Sequence, residues 1–185
     1  MRQGIAIKSA ALLVPSALAL ASGTASAQDA AQPSQTGSGW VISQTTSPID
    51  YSPIATATTS SRKIAGSPEL RLSVRCRNGR TELAISGPDI TMSGDDYFIS
   101  YRVNDGHSVQ FGGAAASFGD GVAFKGDAAA LLQSLPTDGD LAVEVMPLRG
   151  NVQHGAFPLN GLETLRAKIG ATCKWPHILA NPNNR

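Results

Sequence analysis

The chain has 185 residues, 15 basic against 14 acidic, with 16% charged and 5% aromatic residues. That length suits one domain with tails, and the balanced charge excludes a nucleic-acid binder that works by bulk electrostatics. Two cysteines exclude a multi-disulfide miniprotein and a cysteine-only zinc site, and the low charge is not that of a disordered chain.

At the start of the chain, Arg2 and Lys8 accompany a largely apolar run over residues 10–20, followed by Ala25-Ser26-Ala27. This order predicts a secretory signal peptide, residues 1–27, cleaved after Ala27. The apolar run is about half the roughly 20 residues needed to span a bilayer, and no later segment is apolar enough to do so. Residues 28–39 are mostly Gln, Ser, Gly, Ala and Pro without a periodic apolar face, and are expected to form a flexible leader. A single β-rich domain is expected over 40–175, with a loosely held tail over 176–185.

Export into an oxidising compartment makes Cys76 and Cys173 the one intramolecular pair available. A redox or reactive-thiol role usually wants closely spaced cysteines, so a structural disulfide is expected. Closing a loop of roughly 100 residues restricts the unfolded chain by about 4–5 kcal/mol in the chain-entropy treatment.

Short strands are expected over 40–44 and 54–59, separated by Ser47-Pro48 and Ser52-Pro53. The clearest local pattern is 69–86, where two alternating runs flank Asn78-Gly79, the pair that a two-residue type I′ turn prefers. That turn pairs Val74 with Leu83 and Leu72 with Ile85 on one face, shared by Cys76 and Thr81. On the other face Arg75 meets Glu82, an opposite-charge cross-strand pair. Further strands are expected over 97–103, 108–111 and 122–124, the first two joined through Asn104-Asp105-Gly106. Another hairpin runs over 141–146 and 152–159, with two short helices in addition. Asp127 caps the first helix, 128–135, and Pro136 stops it. Asn160 and Glu163 make a capping-box-like start for the second, 162–169, which Gly170 is expected to end. The fold class is therefore mainly β: an antiparallel β-sandwich or barrel-like domain with two short helices, stapled by one disulfide.

Candidate chemistry is sparse. His107, His154 and His177 have no second His or Cys at metal-ligand spacing and read as surface residues. No Gly-x-Ser-x-Gly elbow occurs, while a dispersed Ser-His-Asp triad stays open because such triads are recognised by geometry. Asp95-Asp96, Asp120 and Asp138-Gly139-Asp140 coincide with turns, where Asp is common for backbone reasons. No catalytic residue, metal site or cofactor is assigned. Charge is more informative: Arg62, Lys63, Arg71, Arg75, Arg77 and Arg80 cluster with Glu69 as the one acid among them. Period two puts Arg71, Arg75 and Arg77 on the solvent face of their strand. With Arg80 they form a candidate binding face for an acidic partner, anionic glycan or lipid headgroups. The competing reading is that the domain's own acidic half answers these charges, or that they protect a strand edge from aggregation.

From Trp40 to Trp175 the order of motifs resembles the VasI/TagO-like family, periplasmic accessory proteins associated with bacterial type VI secretion. The matching residues are Trp40-Val41-Ile42-Ser43, Thr46-Ser47-Pro48-Ile49-Asp50, Leu72-Ser73-Val74-Arg75-Cys76, Gly79-Arg80-Thr81-Glu82 and Tyr101-Arg102-Val103. They continue with Phe157, Leu159, Gly161-Leu162, Arg166 and Cys173-Lys174-Trp175, both cysteines falling where the family's do. The chain departs from that pattern at Ile85-Ser86-Gly87-Pro88 and Gln110-Phe111-Gly112-Gly113, where relatives often carry tryptophan. The resemblance implies a periplasmic, non-enzymatic accessory or adaptor protein that binds an envelope protein such as a secretion-system component. It implies no nucleic acid and no membrane span. The alternatives are a secreted hydrolase acting on envelope polymers and an inhibitor or glycan-binding module.

Overall fold

The computed structural model describes residues 34–35, 39–63, 66–90 and 97–176. The expected signal peptide, most of the leader, the Asp95-Asp96 pair and the tail with His177 lie outside the described residues. Among the described residues are ten strands and two helices: β1 (Ser34–Gln35), β2 (Val41–Thr46), β3 (Pro53–Ser60), β4 (Arg71–Arg77), β5 (Arg80–Ser86), β6 (Tyr97–Val103), β7 (Val109–Ala115), β8 (Val122–Phe124), α1 (Ala128–Ser134), β9 (Asp140–Pro147), β10 (Gln153–Pro158) and α2 (Leu162–Cys173). Within the stretch expected as leader, β1 pairs with β2, Ser34 against Ile42 and Gln35 against Val41.

The strands join in the order β1-β2-β3-β4-β5-β8-β7-β6-β9-β10, each antiparallel to its neighbours. The sheet is not closed into a barrel. Its far strand β10 nevertheless approaches β3, where the Arg62 amide donates to the Ala156 carbonyl at 2.8 Å. Close by, Trp40 Nε1 donates to the Pro158 carbonyl at 3.2 Å. The two halves thus face one another across a common core, in a sandwich-like arrangement. The β4–β5 hairpin has the expected register, Val74 against Leu83, Leu72 against Ile85 and Arg75 against Glu82. Its turn residues Asn78 and Gly79 both have positive φ, 51° and 74°, as a type I′ turn requires.

Strand β7 changes partner midway. Gly112 still faces Phe98 of β6, and Gly113 already faces Phe124 of β8. A Cβ on Gly113 would lie 2.5 Å from Val122 Cγ1 and 2.9 Å from Tyr97 Cβ. Glycine permits the backbones to close at this handover, where any side chain would collide.

The core gathers inward residues of both halves, including Trp40, Leu72, Val74, Ile85, Ile99, Val143, Val145 and Phe157, with Leu162, Leu165 and Ile169 of α2. Full burial of such side chains contributes about 1.5–3 kcal/mol each. Helix α1 starts as expected: the Asp127 carboxylate accepts from the Ala130 amide at 3.0 Å. Its far end is closed from outside, because Arg166 of α2 donates to the Leu132 carbonyl at 2.7 Å and to the Leu135 carbonyl. These are carbonyls that a helix end leaves without intrahelical partners.

Helix α2 corrects two expectations. Its N-cap is Gly161 in the left-handed region, without a side-chain cap from Asn160. The chain does not stop at Gly170 but continues to Cys173, with Lys174 as left-handed C-cap. The extra turn carries Cys173 to Cys76, where the disulfide forms with a Cα–Cα distance of 5.7 Å. Beyond it the Trp175 amide returns to the Gly170 carbonyl at 3.0 Å. The Trp175 indole donates to Thr81 Oγ1 at 2.6 Å. The disulfide is therefore backed by a hydrogen bond from the same chain end to the residue opposite Cys76.

Candidate binding face

The four candidate arginines separate into two kinds. Arg75 and Arg77 are half-buried, whereas Arg71 and Arg80 are exposed. Arg75 Nη1 donates to the Phe118 carbonyl in the β7–β8 loop. The Arg77 guanidinium stands over the Phe118 ring, 5.9 Å from its centroid, in cation–π range. Across from Arg75, Glu82 accepts the amides of Ser117 at 2.9 Å and Phe118 at 3.1 Å. Arg75, Arg77 and Glu82 therefore grip one loop. Arg77 and Arg80 sit directly opposite each other in the ladder, where like charges repel, and the Phe118 ring gives one of them an aromatic face. Arg71 lies at the other end of β4, opposite Ser86.

The β2–β3 turn shares the Arg77–Arg80 end of the sheet, because the strands alternate in direction. Here Ser47 is buried and donates its amide to the Ser52 carbonyl at 2.9 Å. The Tyr51 amide donates to the Ser47 carbonyl at 3.0 Å. The Asp50 carboxylate accepts the Ser52 hydroxyl at 2.8 Å and the Ser52 amide at 3.2 Å. Hydrogen bonds from Ser47 and Ser52, with a smaller one from Asn78 of the neighbouring turn, hold the Asp50 carboxyl well below the usual carboxylate range. Tyr51 is fixed at φ 54°, a left-handed conformation that is strained for a bulky residue. Ile49 and Tyr51 project from this locked turn and are 82% and 81% exposed. Ser47-Pro48 and Ser52-Pro53 mark the loop in the sequence but do not reveal that two large apolar side chains stand exposed between them. Their place among Ser, Pro and Asp was the available signal.

The remaining titratable groups give a different picture. Ser100, Glu144 and His154 lie in one row across β6, β9 and β10. His154 Nδ1 stands 3.5 Å from Glu144 Oε1, and the Ser100 and Ser108 hydroxyls are 2.5 Å apart. In this row Glu144 stands between Ser100 and His154, so the imidazole is not the serine's neighbour. His107 is exposed after the β6–β7 turn. Asp140 pairs with Arg62 at 2.8 Å, and Asp120 and Asp138 are exposed. Among the described residues no group of three or more His, Cys, Asp or Glu is placed to hold a metal ion. No described helix is long and apolar enough to cross a membrane. No family model, curated protein or solved structure matches the chain.

Proposed function

We propose that the protein is an exported accessory or adaptor of the cell envelope that engages a protein partner through the β2–β3 turn. One observation carries this reading: Ile49 and Tyr51 are 82% and 81% exposed on a turn whose backbone is fixed by the Ser47–Asp50–Ser52 network. A rigid aromatic and a branched aliphatic side chain are what the buried centre of an interface uses, because little conformational freedom is lost when they dock. Arg80 on the adjoining turn adds the polar rim that such centres carry. Arg75 and Arg77 then serve by bracing the neighbouring β7–β8 loop. The disulfide is compatible with an oxidising, extracytoplasmic setting. The VasI/TagO-like resemblance supplies the context, an accessory of type VI secretion.

The test is site-specific photocross-linking from positions 49 and 51 in the envelope of producing cells. One discrete envelope-protein adduct is expected, reduced at least about tenfold by a combined Ile49→Ser and Tyr51→Ser substitution when read from Arg80. The substituted protein should keep its unfolding midpoint, since both side chains are exposed. No adduct, or one indifferent to the substitutions, would overturn the reading.

A further inference from the structure

Three of the chain's aromatic rings converge at a second place, away from the β2–β3 turn. Tyr101 of β6 and Phe111 of β7 stack with centroids 5.7 Å apart at 12°. Phe124, at the end of β8, tilts against both at 6.5 Å. Together with Ala128 and Leu131 of α1 they wall an open cavity of about 420 Å³. That size lies within the range of small-molecule sites. Two polar residues of the wall are turned to their own backbone. Asp127 accepts the Ala130 amide, and the Ser134 hydroxyl donates to the Leu131 carbonyl at 2.8 Å. Lys125 borders the space as well, and the rest of what faces it is mainly hydrocarbon and ring surface, with the Tyr101 phenol as a further polar group. Burial raises the pKa of that phenol, so it remains an O–H donor at neutral pH.

The cavity does not end at the rings. Phe124, Lys125 and Gly126 also border an adjoining hollow of about 280 Å³ that contains Arg80 and Glu82. Glu82 is occupied by the Ser117 and Phe118 amides, whereas the Arg80 side chain is exposed. The register puts Arg80 and Glu82 on the opposite face of the sheet from Phe124, so the two hollows meet around the end of β8, at Lys125 and Gly126.

We infer that this pair of cavities binds a small aromatic carboxylate, its ring seated among Tyr101, Phe111 and Phe124 and its carboxylate directed toward Arg80. Ring faces and edges at these separations favour a planar ring over a saturated one of similar size. A guanidinium pairs with a carboxylate in a geometry that a neutral hydroxyl does not reproduce. The ring wall is separate from the β2–β3 turn and only Arg80 is common to both surfaces, so the effects of Phe111→Ala and Ala130→Phe test this inference apart from the proposed partner.

The probe is 3-phenylpropanoate, titrated into the whole folded protein and followed by two-dimensional amide NMR. Saturable shifts are expected at Gly112, Lys125 and Gly126. Phe111→Ala should weaken binding by about tenfold, and Arg80→Ala should weaken it several-fold while leaving binding of neutral benzyl alcohol unchanged. Because Phe111 also packs against the core, a second variant is needed. Ala130→Phe, at an exposed wall position, fills the chamber from the helix surface and should abolish binding with the fold retained. The inference is overturned if shifts do not saturate, if 3-cyclohexylpropanoate binds equally well, or if Ala130→Phe changes nothing.

Discussion

Strands β2 to β5 lie side by side in the order in which the chain makes them, each joined to the next by a loop. In the other half, β5 pairs with β8, and β6 pairs with β9 although β7, β8 and α1 come between them in the chain. The first half is also tied covalently, with Cys76 of β4 bonded to Cys173 of α2. The second is held by packing and by a few bonds to the first, among them the Arg62 amide to the Ala156 carbonyl and the Arg62–Asp140 ion pair. The difference separates two ways of specifying a sheet. One relies on local turns and a cross-link; the other adds to its local pairs β6–β7, β7–β8 and β9–β10 the distant pairs β5–β8 and β6–β9.

The largest effect is expected from removing the cross-link. Cys76→Ser with Cys173→Ser should cost about 4–5 kcal/mol in urea unfolding, and a loss below about 1 kcal/mol would dissolve the contrast between the halves. A smaller loss, about 1–3 kcal/mol, is expected from Gly113→Ala, whose methyl meets Val122 and Tyr97. Hydrogen exchange should then quicken in β6, β7 and β8 before β3 and β4, and uniform quickening would mean that the halves unfold as one. The smallest effect concerns Asp50. Its pKa is lowered in the folded chain by the Ser47 and Ser52 hydrogen bonds, so its contribution is complete above the ordinary value of 3.8. That contribution declines as pH falls below the ordinary value and is lost as it passes through the lowered one. Carboxyl NMR should find Asp50 titrating below the other aspartates, and Asp50→Asn should loosen the Ile49–Tyr51 turn without moving β4 or β5.

The same contrast explains what could be read from the chain. The β4–β5 register followed from Asn78-Gly79 and two alternating runs, and the first helix from Asp127 and Pro136, because the deciding contacts are a few residues apart. The second helix was drawn too short: Gly170 is locally a stop, but the turn beyond it is retained by the disulfide and by Trp175. Strand β7 was expected to stop at Phe111, since Gly112-Gly113 offers no β pattern, yet these glycines are where the backbones close on two partners. The arginine stripe was visible as composition. That Arg75 and Arg77 turn to the Phe118 loop, while Arg71 and Arg80 stay outside, depends on a segment more than thirty residues away. The aromatic chamber was hidden for the same reason, since Tyr101, Phe111 and Phe124 meet through strand pairing and helix placement that no short window contains.

Trp175 stands just past Cys173, with its indole on the hydroxyl of the residue that faces Cys76. Trp40, by contrast, is sealed at 1% exposure beneath the sheet. The two indoles thus sit in different surroundings, one against the covalent staple and the other within the core, so a change at the staple reaches Trp175 first.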